Sequence, residues 1–193
     1  MAENMRIKMI LLSDTIFGNG VSVPGGEDIS LLCDVYGFPY YKGSTFKGVF
    51  REELIHYLEW IGSKQEEISK KLESLLGKIG DSNLEMPHKL TFCDFTLSDV
   101  VKARILDEIG VNNPEFVTDS LSHIRTFTKI GEDGVAAAKS LRYCRCVNKD
   151  LMFYSAISCE KEDQDTVQNV LQLVKWIGSM RNRGFGKVRI SLV

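Results

Sequence analysis

Apolar residues recur along this chain with two different periods. In some segments the period is two residues, which is typical of a strand, and in others it is about 3.6 residues, which is typical of a helix. Residues 44–61 and 165–177 each have helical spacing with one clear apolar face. Shorter segments with strand-like alternation precede, separate and follow them. When the inserted segments are left out, the order of the predicted elements is strand, helix, strand, strand, helix, strand. This order predicts an α+β fold of the ferredoxin-like, or RRM, type with a βαββαβ core.

The boundaries of the other elements follow from the same patterns. Further helices are predicted at 64–79 and 98–109, and Ser98, Ser44 and Thr45 are candidate helix caps. Strands are predicted at 5–12, 90–95, 123–130, 140–147, 151–159 and 187–193. The length of the chain favours one domain over residues 1–193, with an insertion at 62–120 and a hairpin at 123–142.

Composition restricts the classes of partner. The chain has 24 basic and 26 acidic residues, so any nucleic-acid surface must be a local patch. No segment approaches the roughly 20 apolar residues of a membrane span, and the first residues do not form a signal peptide. We therefore expect a cytoplasmic protein with no membrane partner. The five cysteines are odd in number and scattered, which argues against a disulfide framework, and they include no CxxC pair, which argues against a zinc site.

The segment GSMRNRGFGKVRISLV, residues 178–193, combines glycines with positive charge. Gly178, Gly184 and Gly186 allow backbone conformations that other residues avoid. The cations of the segment are Arg181, Arg183, Lys187 and Arg189. A cationic, glycine-rich loop before a strand predicts a cradle for a phosphate chain. The alternative is a helix C-cap followed by a tight turn, which needs only one glycine.

A second glycine-basic segment, GFPYYKGSTFKGVFREEL, covers residues 37–54. Lys42, Gly43 and Ser44 stand at the start of a predicted helix, where free amides favour phosphate. Lys47 and Arg51 are four residues apart and share one side of this helix. The alternative is an ordinary capped helix with two solvated cations. Because the first helix and last strand belong to one core, the cations of 42–51 and 181–189 are expected to form one patch.

These segments resemble the RAMP superfamily of CRISPR proteins, specifically the backbone subunits of type III effector complexes. Residues 181–188, RNRGFGKV, are similar to the family's glycine-rich loop, and residues 11–20, LLSDTIFGNG, to its opening. The family pattern D-x-x-G-x-P-Y-I-P-G-S-S-L-K-G-x-x-R is matched in register by Asp34, Gly37, Pro39, Tyr40, Gly43, Ser44, Lys47, Gly48 and Arg51. The departures from that pattern include Lys42, Thr45 and Phe46.

The resemblance implies a subunit that polymerises along CRISPR RNA and presents it for pairing with target RNA. Its partners are then both RNAs, other effector subunits and copies of itself. Residues 123–142 correspond to the family's hairpin "thumb", which inserts into the guide–target duplex, with Arg125, Lys129 and Arg142 as phosphate or base contacts. The remaining implied RNA-binding residues are Lys42, Gly43, Ser44, Lys47, Arg51, Arg181, Arg183, Gly184, Gly186 and Lys187.

Many family members also cut the target RNA with an aspartate six residues before the one matched by Asp34. Asp28 falls on that position. The resemblance therefore implies that Asp28 holds a divalent metal such as Mg²⁺, which polarises the phosphate. Family members usually have a proline and an arginine between the two aspartates, and this chain has Ser30 and Cys33 instead. The alternatives are a solvated loop carboxylate and a spacer subunit that binds RNA without cutting it.

Two other functions remain open from the sequence. A processing endonuclease of the same superfamily would use a histidine as general acid or base. His56, His88 and His123 are present, but none lies in a recognisable motif. A ferredoxin-like domain that binds a small phosphorylated ligand would instead have one concave pocket and weak salt dependence.

Overall fold

The computed structural model describes residues 2–18, 20, 27–77, 90–131 and 134–193. The strands are β1 (Ala2–Leu11), β2 (Thr91–Phe92), β3 (Ser122–Phe127), β4 (Arg142–Val147), β5 (Met152–Glu160) and β6 (Val188–Leu192). The helices are α1 (Gly43–Trp60), α2 (Gln65–Leu76), α3 (Asp99–Ile109), α4 (Pro114–Leu121) and α5 (Gln164–Leu173). No helix in these ranges is long and apolar enough to cross a membrane.

The core is a four-stranded antiparallel sheet in the order β2-β5-β1-β6. The central strand, β1, pairs with both β5 and β6, so that Met9 lies opposite Phe153 on one side and Ile190 on the other. In chain order, the core elements are β1, α1, β2, β5, α5 and β6. The predicted α+β, ferredoxin-like fold with a βαββαβ core is confirmed.

One face of this sheet is buried under α1 and α5. The inward residues of β1 are fully buried, because they alternate along the strand with outward residues. They share one apolar cluster with the buried faces of both helices: Ile7, Met9, Leu11, Phe46, Phe50, Leu54, Val167, Val170 and Leu171. Phe46 of α1 also packs on Phe95, with ring centroids 4.6 Å apart.

The remaining elements are inserted into this core. Helix α2 lies between α1 and β2, and α3, α4 and the β3–β4 hairpin lie between β2 and β5. The expected insertion at 62–120 thus also spans β2, which divides the inserted residues into two groups. In the hairpin, Arg125 lies opposite Cys144 and Phe127 opposite Arg142. Thr15 and Ile29, between β1 and α1, form bridges to β4.

A second, smaller apolar cluster fixes the hairpin against the end of the chain. Its buried members come from β4, the loop after β1 and the segment before β6: Ile16, Cys144, Cys146 and Phe185. Phe127 and Met180 pack against this cluster from the hairpin and the C-terminal loop. The hairpin is therefore held mainly by this second cluster, and only Val147 at the end of β4 joins the core of the main sheet.

Several predicted boundaries are wrong for identifiable reasons. Neither Ser44 nor Thr45 caps α1, because the helix already begins at Gly43, whose amide donates to Asp94 Oδ1 over 2.8 Å. The helix predicted to reach residue 177 ends at Leu173. The predicted cap Ser98 is confirmed, since its hydroxyl accepts from the Val101 amide.

Helix α5 ends one turn earlier than predicted because the residues after Leu173 pair with a distant part of the chain. The Lys175 carbonyl accepts from the Val188 amide, and the Ile177 amide donates to the Gly186 carbonyl. Residues 174–177 are thus extended and pair with the segment before β6. Pairing between strands satisfies these backbone groups as well as a further helical turn does, and a sequence pattern with helical spacing cannot show which partner they take.

Candidate nucleic-acid interface

Residues 178–187, the glycine loop, are shaped by three glycines with positive φ. A Cβ on Gly178 would lie 2.5 Å from the Ile16 carbonyl oxygen, and one on Gly186 would lie 1.9 Å from that of Ile177. These two glycines allow close backbone packing, whereas Gly184, at φ +85, ends a 3-10 turn over Arg181–Arg183. The expected need for glycine is confirmed, and the turn leaves both arginines exposed.

The glycine loop and the start of α1 border a groove of about 460 Å³, the α1 groove. Lys42, just before α1, and Thr45, in its first turn, line one side of the groove, and Gly178, Ser179 and Arg181 line it from the loop. Two cations from the two separate sequence motifs, Lys42 and Arg181, therefore face the same space. The expectation of one patch is confirmed for this pair.

Tyr41 forms part of the floor of the α1 groove and is 5% exposed. Burial raises the pKa of its hydroxyl, although a backbone hydrogen bond with Gly178 and the nearby charge of Arg181 lower it. The phenol therefore stays neutral in the physiological range, and the charge of this groove comes from its lysine and arginine.

A second groove, of about 690 Å³, lies between the hairpin and the same 3-10 turn and is called the hairpin groove. The described residues of its lining are cationic or neutral: Lys129, Lys139, Arg142 and Arg183 are joined by Phe127, Thr128, Ser140, Met180 and Asn182. Arg181 lines the α1 groove and Arg183 lines the hairpin groove, so one turn of chain separates the two. Together they form a cationic surface on a chain with a net charge of −2.

Two aromatic rings join the hairpin to the glycine loop. Phe127 and Phe185 pack edge to face, with centroids 5.6 Å apart. The Arg183 guanidinium lies 5.9 Å from the Phe127 centroid, and that of Arg125 lies 5.7 Å from the Phe185 centroid. Arg125 is also 3.9 Å from Asp14. Both guanidiniums are thereby oriented by stacking, which reduces the conformational freedom that they lose on binding phosphate.

The other predicted RNA contacts Arg51, Lys47 and Gly43 on α1 lie outside both grooves. Arg51 donates to the Gly77 carbonyl at the end of α2, over 2.9 Å. Burial and the charge of Arg51 lower the pKa of Lys47. Gly43 is buried, and a Cβ there would lie 2.3 Å from the Phe92 carbonyl oxygen. Packing against β2 accounts for this glycine, and none of these three residues lines either groove.

Four further predicted residues differ in exposure. Ser44 at the start of α1 is exposed, as are Gly184 and Lys187 of the glycine loop, whereas Gly186 is buried. The backbone of Lys187 is bonded to the loop after β1, through Leu12 and Ser13. None of the four lines either groove.

Asp28 lies beside the hairpin, next to the end of β4 that leads out of the connecting loop. Its amide donates to the Tyr143 carbonyl over 2.8 Å, and its Oδ2 accepts from the Tyr143 amide over 2.7 Å. Burial raises the pKa of the Cys144 thiol and the charge of Asp28 raises it further, while Arg142 and Arg183 lower it. Asp28, Arg142 and Arg183 thus all act on the charge state of the same buried thiol.

The described part of the chain contains no group of three or more His, Cys, Asp or Glu side chains placed to hold a metal ion. Asp28 therefore provides a single carboxylate. A divalent ion at this position fits the protein only as part of a complex in which RNA oxygens and water supply the other ligands.

The described histidines do not line either groove. His56 is on α1, 3.7 Å from Glu53. His123 Nδ1 is 2.7 Å from Asn148 Oδ1, and its Nε2 is 3.4 Å from Asp14 Oδ2. His88 lies outside the described residues. The geometry thus gives no support to a processing nuclease with a groove histidine.

Sequence reasoning predicted three of the residues that line the hairpin groove, Lys129, Arg142 and Arg183, and missed the others, among them Lys139 and Asn182. Asn182 lies within the quoted glycine-basic segment but was not distinguished from its neighbours. Lys139 belongs to no motif, and its left-handed backbone, at φ 56, is set by the hairpin. The next residue, Ser140, fixes this part of the hairpin by hydrogen bonds with Thr128 and the Lys129 amide.

Comparison with known proteins supports the motif resemblance. A chain in the cryo-EM structure of type III-B Cmr-beta bound to cognate target RNA has a TM-score of 0.71 at 14% identity, covering 99% of this chain and 97% of that chain. A chain in the apo state has a TM-score of 0.69 at 14% identity, covering 98% and 97%. No curated protein sequence matches. The family model of the RAMP superfamily matches residues 8–189, and the chain therefore belongs to that superfamily.

Proposed function

We propose that this chain is a backbone subunit of a type III CRISPR effector complex, which binds CRISPR RNA and presents it for pairing with target RNA. One observation carries the proposal: cations from the residue before α1, the hairpin and the glycine loop line two grooves on either side of a single turn. Membership of the RAMP superfamily and the fold shared with chains of type III-B Cmr-beta support it.

The grooves suit a phosphate backbone better than a small ligand. Both are open, and their charge is distributed along the surface and does not converge on one enclosed pocket. Single-stranded nucleic acid is held by such cationic grooves with little dependence on sequence. This property is required of a subunit that must bind guides with different spacer sequences.

The hairpin has the surface expected of an element that contacts bases. It exposes apolar and aromatic side chains at Ile124, Ile130, Leu141 and Tyr143, which are 40–58% exposed. Exposed apolar residues in one region indicate contact with a partner. We propose that the hairpin inserts between guide and target RNA, while Lys129 and Arg142 at its side hold phosphates.

Contacts with neighbouring subunits are proposed for the inserted helices. Val100 of α3 is 80% exposed, Phe116 of α4 is 68% exposed, and Val35 in the nearby turn is 84% exposed. The turn and the helices are joined, because Lys102 lies 3.4 Å from Asp34 and the Thr118 hydroxyl donates to the Gly37 carbonyl. Other effector subunits or copies of this chain are the proposed occupants.

The proposal assigns target-RNA cleavage to Asp28. Its support is the hydrogen bond from the Tyr143 amide to this carboxylate, which places it beside the loop end of β4, where Arg142 precedes Tyr143 in the chain. Bound Mg²⁺ would polarise the scissile phosphate. The role of Asp28 is to hold the ion through its carboxylate, and that of the neighbouring arginines is to hold the RNA backbone in place.

The test is binding of the purified chain to a labelled single-stranded RNA that bears a CRISPR repeat, at low and high salt. The expected result is tight binding that weakens steeply with salt, because cation–phosphate contacts release counterions. Absence of binding at low salt, or binding that salt leaves unchanged, would contradict the proposal and favour a small phosphorylated ligand.

A further inference from the structure

The face of the core sheet opposite α1 and α5 carries a regular array of outward side chains. The pairing of β1 with β5 and β6 arranges them in rows across the sheet. In one row, Ile10 stands between Arg189 and Met152. In the next, Lys8 stands between Ser191 and Tyr154, and in the third Arg6 stands opposite Ala156.

This array is positively charged. Arg6, Lys8 and Arg189 form a diagonal across β1 and β6, and the three described rows contain no acidic side chain. Arg6 and Arg189 are exposed, and Lys8 is partly exposed. The whole chain has more acidic than basic residues, so three cations in described rows that hold no acidic side chain mark a local surface for an anionic partner.

An aromatic ring stands beside these cations. The Arg6 guanidinium lies 5.0 Å from the centroid of the Tyr154 ring, within the range of a cation–π contact. The backbone of Tyr154 is paired with Lys8 of β1 on one side. On the other side it is paired with Thr96, through two hydrogen bonds of 2.7 and 2.9 Å. The ring is thus presented by a rigid strand and is partly exposed.

We infer that this open sheet face is a second binding site for single-stranded RNA, separate from the two grooves. Bases stack on Tyr154 and the Arg6 guanidinium, and Lys8 and Arg189 hold phosphates. An aromatic ring among cations on a flat sheet provides both stacking and charge, as single-stranded RNA requires. An acidic protein surface would use the cations but would have no comparable use for the ring.

The site is independent of the proposed guide-binding surface. None of Arg6, Lys8, Tyr154 and Arg189 lines the α1 groove or the hairpin groove. The outer rows are about 14 Å apart along the strands, which gives room for about two or three bases on such a sheet. The site therefore takes a short segment of RNA while the grooves are filled by another.

The test measures binding of a labelled oligouridylate. The parent protein, called the background, is a triple variant with Lys42→Ala, Arg181→Ala and Arg183→Ala, which removes cations from both grooves. This background is expected to keep weak RNA binding at low salt. In it, Tyr154→Leu should reduce affinity about tenfold through lost stacking, and Tyr154→Phe should keep the affinity. Arg6→Gln with Lys8→Gln should lower the slope of log K against log salt by about 1.4.

The matched control is Lys70→Gln with Lys161→Gln, which removes two exposed cations elsewhere on the chain. Circular dichroism and thermal melting check folding, and the Arg6 and Lys8 variant continues the test if Tyr154→Leu does not fold. The inference is overturned if the background binds no RNA at low salt, or if the sheet variants bind as tightly as their background. It is also overturned if they lose only association with other effector subunits.

Discussion

The groove cations give the prediction whose magnitude follows most directly from the structure. Lys42 and Arg181 line the α1 groove and Arg183 lines the hairpin groove, and all three are exposed. Replacing them with alanine removes charge without opening a cavity in either apolar core. We expect a folded protein whose affinity for RNA is lower and less dependent on salt.

The size of the effect follows from counterion release. Each cation that neutralises a phosphate of a single strand contributes about 0.7 to the slope of log K against log salt. The triple substitution should therefore lower the slope by about 2. Between about 50 and 200 mM salt, the wild-type chain should lose roughly 16-fold more affinity than the variant loses.

The assay is fluorescence anisotropy with a labelled, repeat-bearing RNA over a series of salt concentrations. A control variant with Lys70→Ala, Arg104→Ala and Lys161→Ala has the same change in net charge, but its exposed cations line neither groove. The reasoning is refuted if the groove variant keeps the wild-type slope, or if the control variant loses as much slope as the groove variant.

Four further predictions test other parts of the account. Phe185→Ala should cost about 3–5 kcal/mol of unfolding free energy in urea, because this 5%-exposed ring anchors the hairpin; a loss below about 1 kcal/mol would show that it does not. Asp28→Asn should abolish target-RNA cleavage by the reconstituted complex and leave guide binding intact, and retained cleavage would contradict its role. Lys187→Ala alone should leave the salt slope nearly unchanged, since Lys187 lines neither groove; a drop of about 0.7 in that slope would assign it a phosphate. Burial raises the pKa of Cys146 to about 12 and of Cys159 to about 11, from 9.0. As the pH rises, these thiols therefore ionise in the unfolded chain before they ionise in the folded one. Stability against urea under reducing conditions should thus be full below pH 9 and fall between pH 9 and 12, with a smaller fall in a variant carrying alanine at both positions.

Much of the fold could be predicted because its signals are local. The apolar face of α1 and the Ser98 cap depend on residues within a few positions of one another. The end of α5 could not be predicted, because Lys175 and Ile177 pair with residues before β6. Helix α4 begins with Pro114 in its first turn, which is a local signal for the start of a helix, although the apolar spacing alone predicts no helix there.

The candidate site was predictable to the extent that the fold brings its motifs together. Lys42 and Arg181 meet because the first helix and the last strand belong to one core. Arg51 shares the helix pattern of Lys47, yet it bonds to the end of α2, whose position the sequence did not show. Lys139 enters the hairpin groove through a backbone conformation that no motif indicates.

The central claim is that the chain holds CRISPR RNA through these grooves. The most direct measurement is to express the chain together with a CRISPR array and sequence the RNA that co-purifies with it. The account predicts enrichment of repeat- and spacer-containing RNA, which the Lys42, Arg181 and Arg183 variant loses while the control variant keeps it. Recovery of no RNA, or of bulk cellular RNA in equal amount from both variants, would contradict the claim.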